Sequence, residues 1–190
     1  MPSQGPKLAG AGSSEGSGTE WTNPGNITTS DNAYATSTVT ASGVSDQLRG
    51  VTWGFTIPTG SLIEGIILSV ERIGGAGLGT IEDYTVHLKT GTKTSTNKAI
   101  AGAWDILEET INYGGATDTW GQTWTVDEIN ESGGAFAVEF TVQETAAQDR
   151  VASVDSISLT VYYSTLSEIA HIYQPQSIEK TRRQTRVVSF

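Results

Sequence analysis

Hydrophobic and polar positions alternate through residues 48–73. Val51, Trp53, Phe55 and Ile57 are separated by Thr52, Gly54 and Thr56; beyond Pro58-Thr59-Gly60-Ser61, Ile66, Leu68 and Val70 are separated by Ile67 and Ser69. A period of two gives a strand one buried and one wet face. Pro58 has no N–H for a ladder and suits a strand exit, and Gly60 allows turn backbone. The pattern therefore predicts a hairpin at the centre of the fold. The same alternation predicts strands over 33–41, over Tyr84, Val86 and Leu88 with His87 on the other side, over Phe136 to Val142, and over Ile157 to Tyr163. Residues 100–126 hold no sustained period; short strands are expected near 104–107 and 119–126, a turn at Tyr113-Gly114-Gly115, and one helical turn at 127–130. About eight strands joined by turn signals describe an all-β, antiparallel β-sandwich of jelly-roll type. Its expected core is Val51, Trp53, Phe55, Ile66, Leu68, Val70, Phe136, Val138, Phe140, Ile157, Leu159 and Val161.

The two ends break the pattern. Residues 1–20, MPSQGPKLAGAGSSEGSGTE, offer little to bury and read as a flexible arm. Residues 166–190 carry Lys180, Arg182, Arg183 and Arg186 against Glu168 and Glu179, a positive arm on a chain of net charge −10. The expected organisation is an N-terminal arm (1–20), a sandwich (21–165) and a basic C-terminal arm (166–190). With 190 residues and 36% hydrophobic content, the chain supports one core. The lack of cysteine excludes a disulfide scaffold and thiolate metal sites. No charged start leads into an apolar segment and no apolar run nears about 18 residues, so the expectation is synthesis in a cytoplasm with no membrane span. Net negative charge argues against a nucleic-acid partner.

Candidate chemistry is sparse. Gly12-Ser13-Ser14-Glu15-Gly16 matches G-x-S-x-G, but that elbow needs a strand before it and a helix after it, and a linker is the reading here. Glu108 and Glu109 are adjacent, so on a strand they face opposite ways and cannot flank one glycosidic bond. Neither Glu82-Asp83 nor Asp127-Glu128 stands in a calcium-loop spacing. His87 and His171 are too few for a zinc site or a triad. No catalytic residue, cofactor or metal is expected. Trp120 and Trp124, with Gln122 between them, are the candidate stacking surface for a glycan; the other reading of tryptophans is packing.

The landmarks Trp21-x-Asn23-Pro24, Asp31-Asn32-Ala33-Tyr34-Ala35, Phe55-x-Ile57-Pro58, Ile63-x-Gly65-Ile66, Val70-x-Arg72, Trp104, Trp124, Ile129-Asn130, Gly134-x-Phe136 and Val154-Asp155-x-Ile157-x-Leu159-x-Val161-Tyr162-Tyr163 occur in order. This series resembles a jelly-roll domain that recurs in tailed-bacteriophage virion proteins, among them capsid decoration proteins, head fibres and tail-associated proteins. The resemblance covers 21–164 and implies a non-enzymatic structural protein of the virion, with capsid, neck or tail subunits as partners and a homo-oligomeric state. The arms lie outside it. Tyr173, Lys180, Arg182, Arg183 and Arg186 are the expected docking residues of the C-terminal arm. The alternative is a carbohydrate-binding adhesin domain that contacts host glycans through exposed aromatics.

Overall fold

The computed structural model describes residues 1–76, 80–131, 135–146 and 148–165. Strands β1 (Ser3–Leu8), β3 (Ala35–Val39), β5 (Leu62–Gly74), β8 (Glu109–Gly115) and β10 (Arg150–Ser164) form one antiparallel sheet. Strands β2 (Ala11–Glu15), β4 (Gln47–Val51), β6 (Ile81–Thr90), β7 (Lys93–Thr94) and β9 (Ala137–Glu144) form the other. The orders β3-β10-β5-β8 and β4-β9-β6-β7 face each other, and the chain changes sheet at every connection from β3 onward except the β6–β7 hairpin. That wrapping is a jelly roll, as the alternation predicts. Residues on the two inner faces interdigitate: Ile66, Leu68, Val70, Ile157, Leu159 and Val161 from one sheet, and Leu48, Val86, Leu88, Val138, Phe140 and Val142 from the other, all are fully buried.

The N-terminal segment is not a free arm. β1 pairs with residues 158–162 of β10, and β2 extends the second sheet along β4. Small residues suit this position: a side chain at Gly12 would collide with the Pro24 carbonyl oxygen, 2.1 Å from where its Cβ would lie. The Gly/Ser composition that reads as a linker is thus what lets the strand lie beneath the 3-10 turn at Pro24–Ile27. Residues 166–190 lie outside the described residues.

The expected central hairpin is also corrected. β4 ends at Val51, and residues 52–61 cross from one sheet to the other before β5 begins. Thr52 and Gly54 both take positive φ (64° and 65°), which ends the ladder. Trp53, Phe55 and Ile57 still point inward, whereas Val51 is only half-buried and leaves the expected core. Side chains replace the missing strand partner. Asn130 Oδ1 accepts from Ile57 N and its Nδ2 donates to Ile57 O, both at 2.8 Å, while Gln4 Oε1 accepts from Thr56 N at 2.9 Å. Asn130 is held by a short helix α1 (Val126–Asn130) that starts in a capping box of Thr125 and Glu128. The strands expected near 104–107 and 119–126 do not form; β8 lies between them, over 109–115.

Candidate functional site

The aromatic residues settle one question first. Trp120 is fully buried and Trp124 nearly so, so neither offers a ring face to a sugar. Trp120 Nε1 donates to Ile66 O at 2.9 Å, and its indole packs where a Cβ on Gly114 would stand 2.3 Å from Nε1. Glycine at 114, with φ of 78°, leaves this space open. Trp124 donates to Thr119 O and meets Phe136 edge-on, 5.4 Å between ring centres. Trp21, Trp53 and Trp104 are buried as well. Among the described residues, Tyr84 is the only aromatic that is exposed.

Three polar clusters stand out among the described residues. The first is internal. Arg72 on β5, Asp83 on β6 and Tyr113 on β8 meet between the sheets, with Trp104 beside them. Asp83 pairs with Arg72 Nη1 and accepts from Trp104 Nε1 (2.8 Å), Tyr113 Oη (2.9 Å) and Ile100 N (3.0 Å). Arg72 also donates to Tyr113 Oη and to Glu109 Oε1, and its guanidinium lies 4.6 Å from the centre of the Trp104 ring. Burial, reinforced by the Asp83 charge, pushes the Tyr113 hydroxyl far above its usual range. The network ties the two sheets together and has no open position for a substrate.

The second cluster lies at the edge of β10, where β3 gives way to β1 as its neighbour. A bulge at Val154/Ser156 leaves Asp155 out of register. Carboxylate oxygens of Asp155, Glu71 and Glu108 all lie within 4.8 Å of one another, a spacing that could hold a metal ion. Tyr34 Oη donates to Glu108 at 2.7 Å, Ser156 Oγ to Glu71 at 3.0 Å, and Asp31 N to Asp155 at 3.4 Å. Burial raises the Asp155 carboxyl above its ordinary value, against backbone N–H bonds from Asn32 and Asp31 that lower it. The hydrogen bond to Glu108, followed by burial, pushes the Tyr34 hydroxyl up to about 12. Composition alone marks Glu108 as a solvated loop residue; only folding brings Glu71 and Asp155, distant in sequence, next to it.

The third is a groove of about 790 Å³ on the outer face of the second sheet. Residues 15–19 after β2 form one wall, Thr40 and residues 44–47 another, and Tyr84, Thr85 and Thr141 complete it. Tyr84 stands at a bulge where β6 shifts register against β9 between Asp83 and Thr85. The bulge breaks the expected alternation: Val86 and Leu88 point inward but Tyr84 points out. The Ser14 hydroxyl, the serine of the G-x-S-x-G match, sits in strand β2, donates to Asp46 Oδ2 and accepts from Trp21 N. His87 contacts Ser95 O through Nδ1. His171, Tyr173, Lys180, Arg182, Arg183 and Arg186 lie outside the described residues.

Neither a known protein family nor a curated protein sequence matches the chain. A solved structure described as "CBM4 structure and function" is similar to it, with a TM-score of 0.43 and 12% identity over 80% of this chain and 92% of that one.

Proposed function

We propose that the chain is a non-enzymatic structural protein of a tailed-phage virion, a capsid decoration or head, neck or tail accessory jelly roll. The observation that carries this reading is what the landmark residues do. Trp21 anchors the N-terminal strands through its bond to Asp46 O, Asn130 clamps Ile57, Arg72 joins the sheets, and Asp155 receives the loop at 31–32. The series that resembles the virion domain is thus a set of scaffold positions, as expected where the shared feature is a rigid building block. The adhesin reading loses the two tryptophans it relied on, since both are buried.

Assembly falls to the segment beyond Thr165. Residues 1–165 hold seven Lys and Arg against nineteen Asp and Glu, whereas 166–190 hold four against two. A basic segment with Tyr173 and apolar neighbours suits the acidic surface of an adjacent subunit, with Arg182, Arg183 and Arg186 forking onto carboxylates. The partners are other virion proteins and further copies of this chain. The test is incorporation: tagged full-length chain and a version ending at Thr165 are expressed in infected cells, and purified particles are imaged by cryo-electron microscopy. Full-length chain should decorate particles at regular positions, and the truncated chain should be folded but absent from them. Particles that never carry the full-length chain would overturn the proposal.

A further inference from the structure

The geometry points to a second role for this fold: the groove beside Tyr84 is a binding site for a neutral oligosaccharide. This goes beyond the structural role and does not depend on it.

The inference rests on what the groove leaves unengaged. Its two carboxylates already hold partners, Asp46 through both oxygens and Glu15 through Oε1. Asp46 accepts from Gly18 N at 2.6 Å and from Ser14 Oγ at 3.2 Å, and Glu15 accepts from Ser13 Oγ at 2.9 Å and pairs with Arg49 at 3.4 Å. Thr85 and Thr141 share a hydrogen bond through their hydroxyls. By contrast, the Gln47 side-chain amide, the Thr40 hydroxyl and the Tyr84 hydroxyl have no partner among the described residues. Tyr84 is 49% exposed, although the neighbouring inward positions of β6 are closed.

The lining selects the ligand class. No Lys, Arg or His contributes to it, so a phosphate, sulfate or uronate would meet only carboxylates and dipoles. A basic peptide, including the arm of a second copy, would have to compete with Arg49 and the Ser13 hydroxyl for Glu15, and with Gly18 N and the Ser14 hydroxyl for Asp46. What it presents is a half-exposed aromatic ring, a planar amide that can donate and accept at once, and hydroxyls. A pyranose matches this set: its C–H face covers a ring, whose face is negative, and its vicinal hydroxyls pair with an amide. The volume lies within the range of small-ligand sites. The wall is glycine-rich at Gly16 and Gly18, so few side chains narrow it.

The test uses the full chain and two-dimensional amide NMR. Neutral probes are cello-, malto-, xylo- and mannohexaose and lacto-N-neotetraose; an oligogalacturonate serves as the anionic contrast. At least one neutral probe should give saturable shifts confined to residues 15–19, 44–47, 84–85 and 141. Tyr84→Ala should weaken that binding about ten-fold or more, and Tyr84→Phe should retain most of it. Gln47→Ala, whose side chain lies on an outer face, provides an independent loss should Tyr84→Ala disturb the fold. Absence of groove shifts with every neutral probe overturns the inference, as does binding of the oligogalacturonate alone. Groove shifts that grow with protein concentration and no sugar would assign the surface to a second copy, and would overturn it equally.

Discussion

Phe140 stands at the centre of the core, its ring 5.7 Å from Trp104 and 6.3 Å from Tyr113 by ring centres. It is fully buried, so Phe140→Ala should cost about 3–5 kcal/mol in a denaturant melt. Ser158→Ala, at an outward position of the facing sheet between β1 and β5, should stay within about 0.5 kcal/mol; equal losses would mean that the faces are reversed. Two carboxylates should give pH signatures of opposite sign. Burial holds the folded-state pKa of Asp155 above its unfolded value, so folding disfavours its charged form. That contribution to stability is present below the unfolded pKa and is lost as pH rises through the raised one. Asp155→Asn should therefore raise Tm at neutral pH, and the gain should fade as pH falls towards about 4. At Glu128 burial pushes upward, but bonds from Lys93 Nζ, 2.6 Å away, and from Thr125 outweigh it and lower the pKa. Its stabilisation is present above the unfolded pKa and lost as pH falls through the depressed one, so Glu128→Gln should lower Tm at neutral pH and match the parent only once pH has fallen below the depressed pKa. Thermal melts across pH check both.

At the scale of elements, the crossing from β4 to β5 and the Arg72 network show two ways of replacing a ladder. The crossing has no strand partner, yet Ile57 keeps both backbone hydrogen bonds because one asparagine amide offers a donor and an acceptor at peptide spacing. Asn130→Ala would leave both groups unpaired where they are partly buried, and a loss of about 2 kcal/mol is expected in chemical denaturation. The network is more demanding. Asp83→Ala leaves the Arg72 guanidinium buried without its closest partner and should cost about 3–5 kcal/mol, and the double change Arg72→Met with Asp83→Leu should recover only the part due to the unpaired charge, because Trp104 Nε1, Tyr113 Oη and Ile100 N lose their acceptor as well. A double-mutant cycle with no coupling between the two positions would show that the pair does not act as a unit.

For the whole molecule, the termini are unequal in a way that composition conceals. Deleting residues 1–15 removes a strand from each sheet and exposes the edges of β4 and β10. The truncated protein should melt well below the full chain and aggregate through those edges. Deleting residues 166–190 should leave melting nearly unchanged, because the described residues already close the core. If the second truncation proves the more damaging, the C-terminal segment belongs to the sandwich and not to assembly.

Alternation along the chain was enough to specify the class of fold and most of the core. A period of two survives any choice of strand partner, because it records only which side of the chain faces apolar neighbours. Hence Trp53, Phe55 and Ile57 read correctly as buried although they belong to no strand. Pairing was a tertiary decision: β5 found β8 and β10 instead of the segment before it, because positive φ at Thr52 and Gly54 turned that segment out of the ladder. The N-terminal strands were hidden for a related reason, since glycine and serine signal entropy locally but also permit the close approach that Gly12 makes to Pro24. The candidate sites were the least legible. A single bulge reverses Tyr84, and three carboxylates from three separate segments meet at Asp155; neither leaves a mark on local periodicity, because both depend on register between strands distant in the chain.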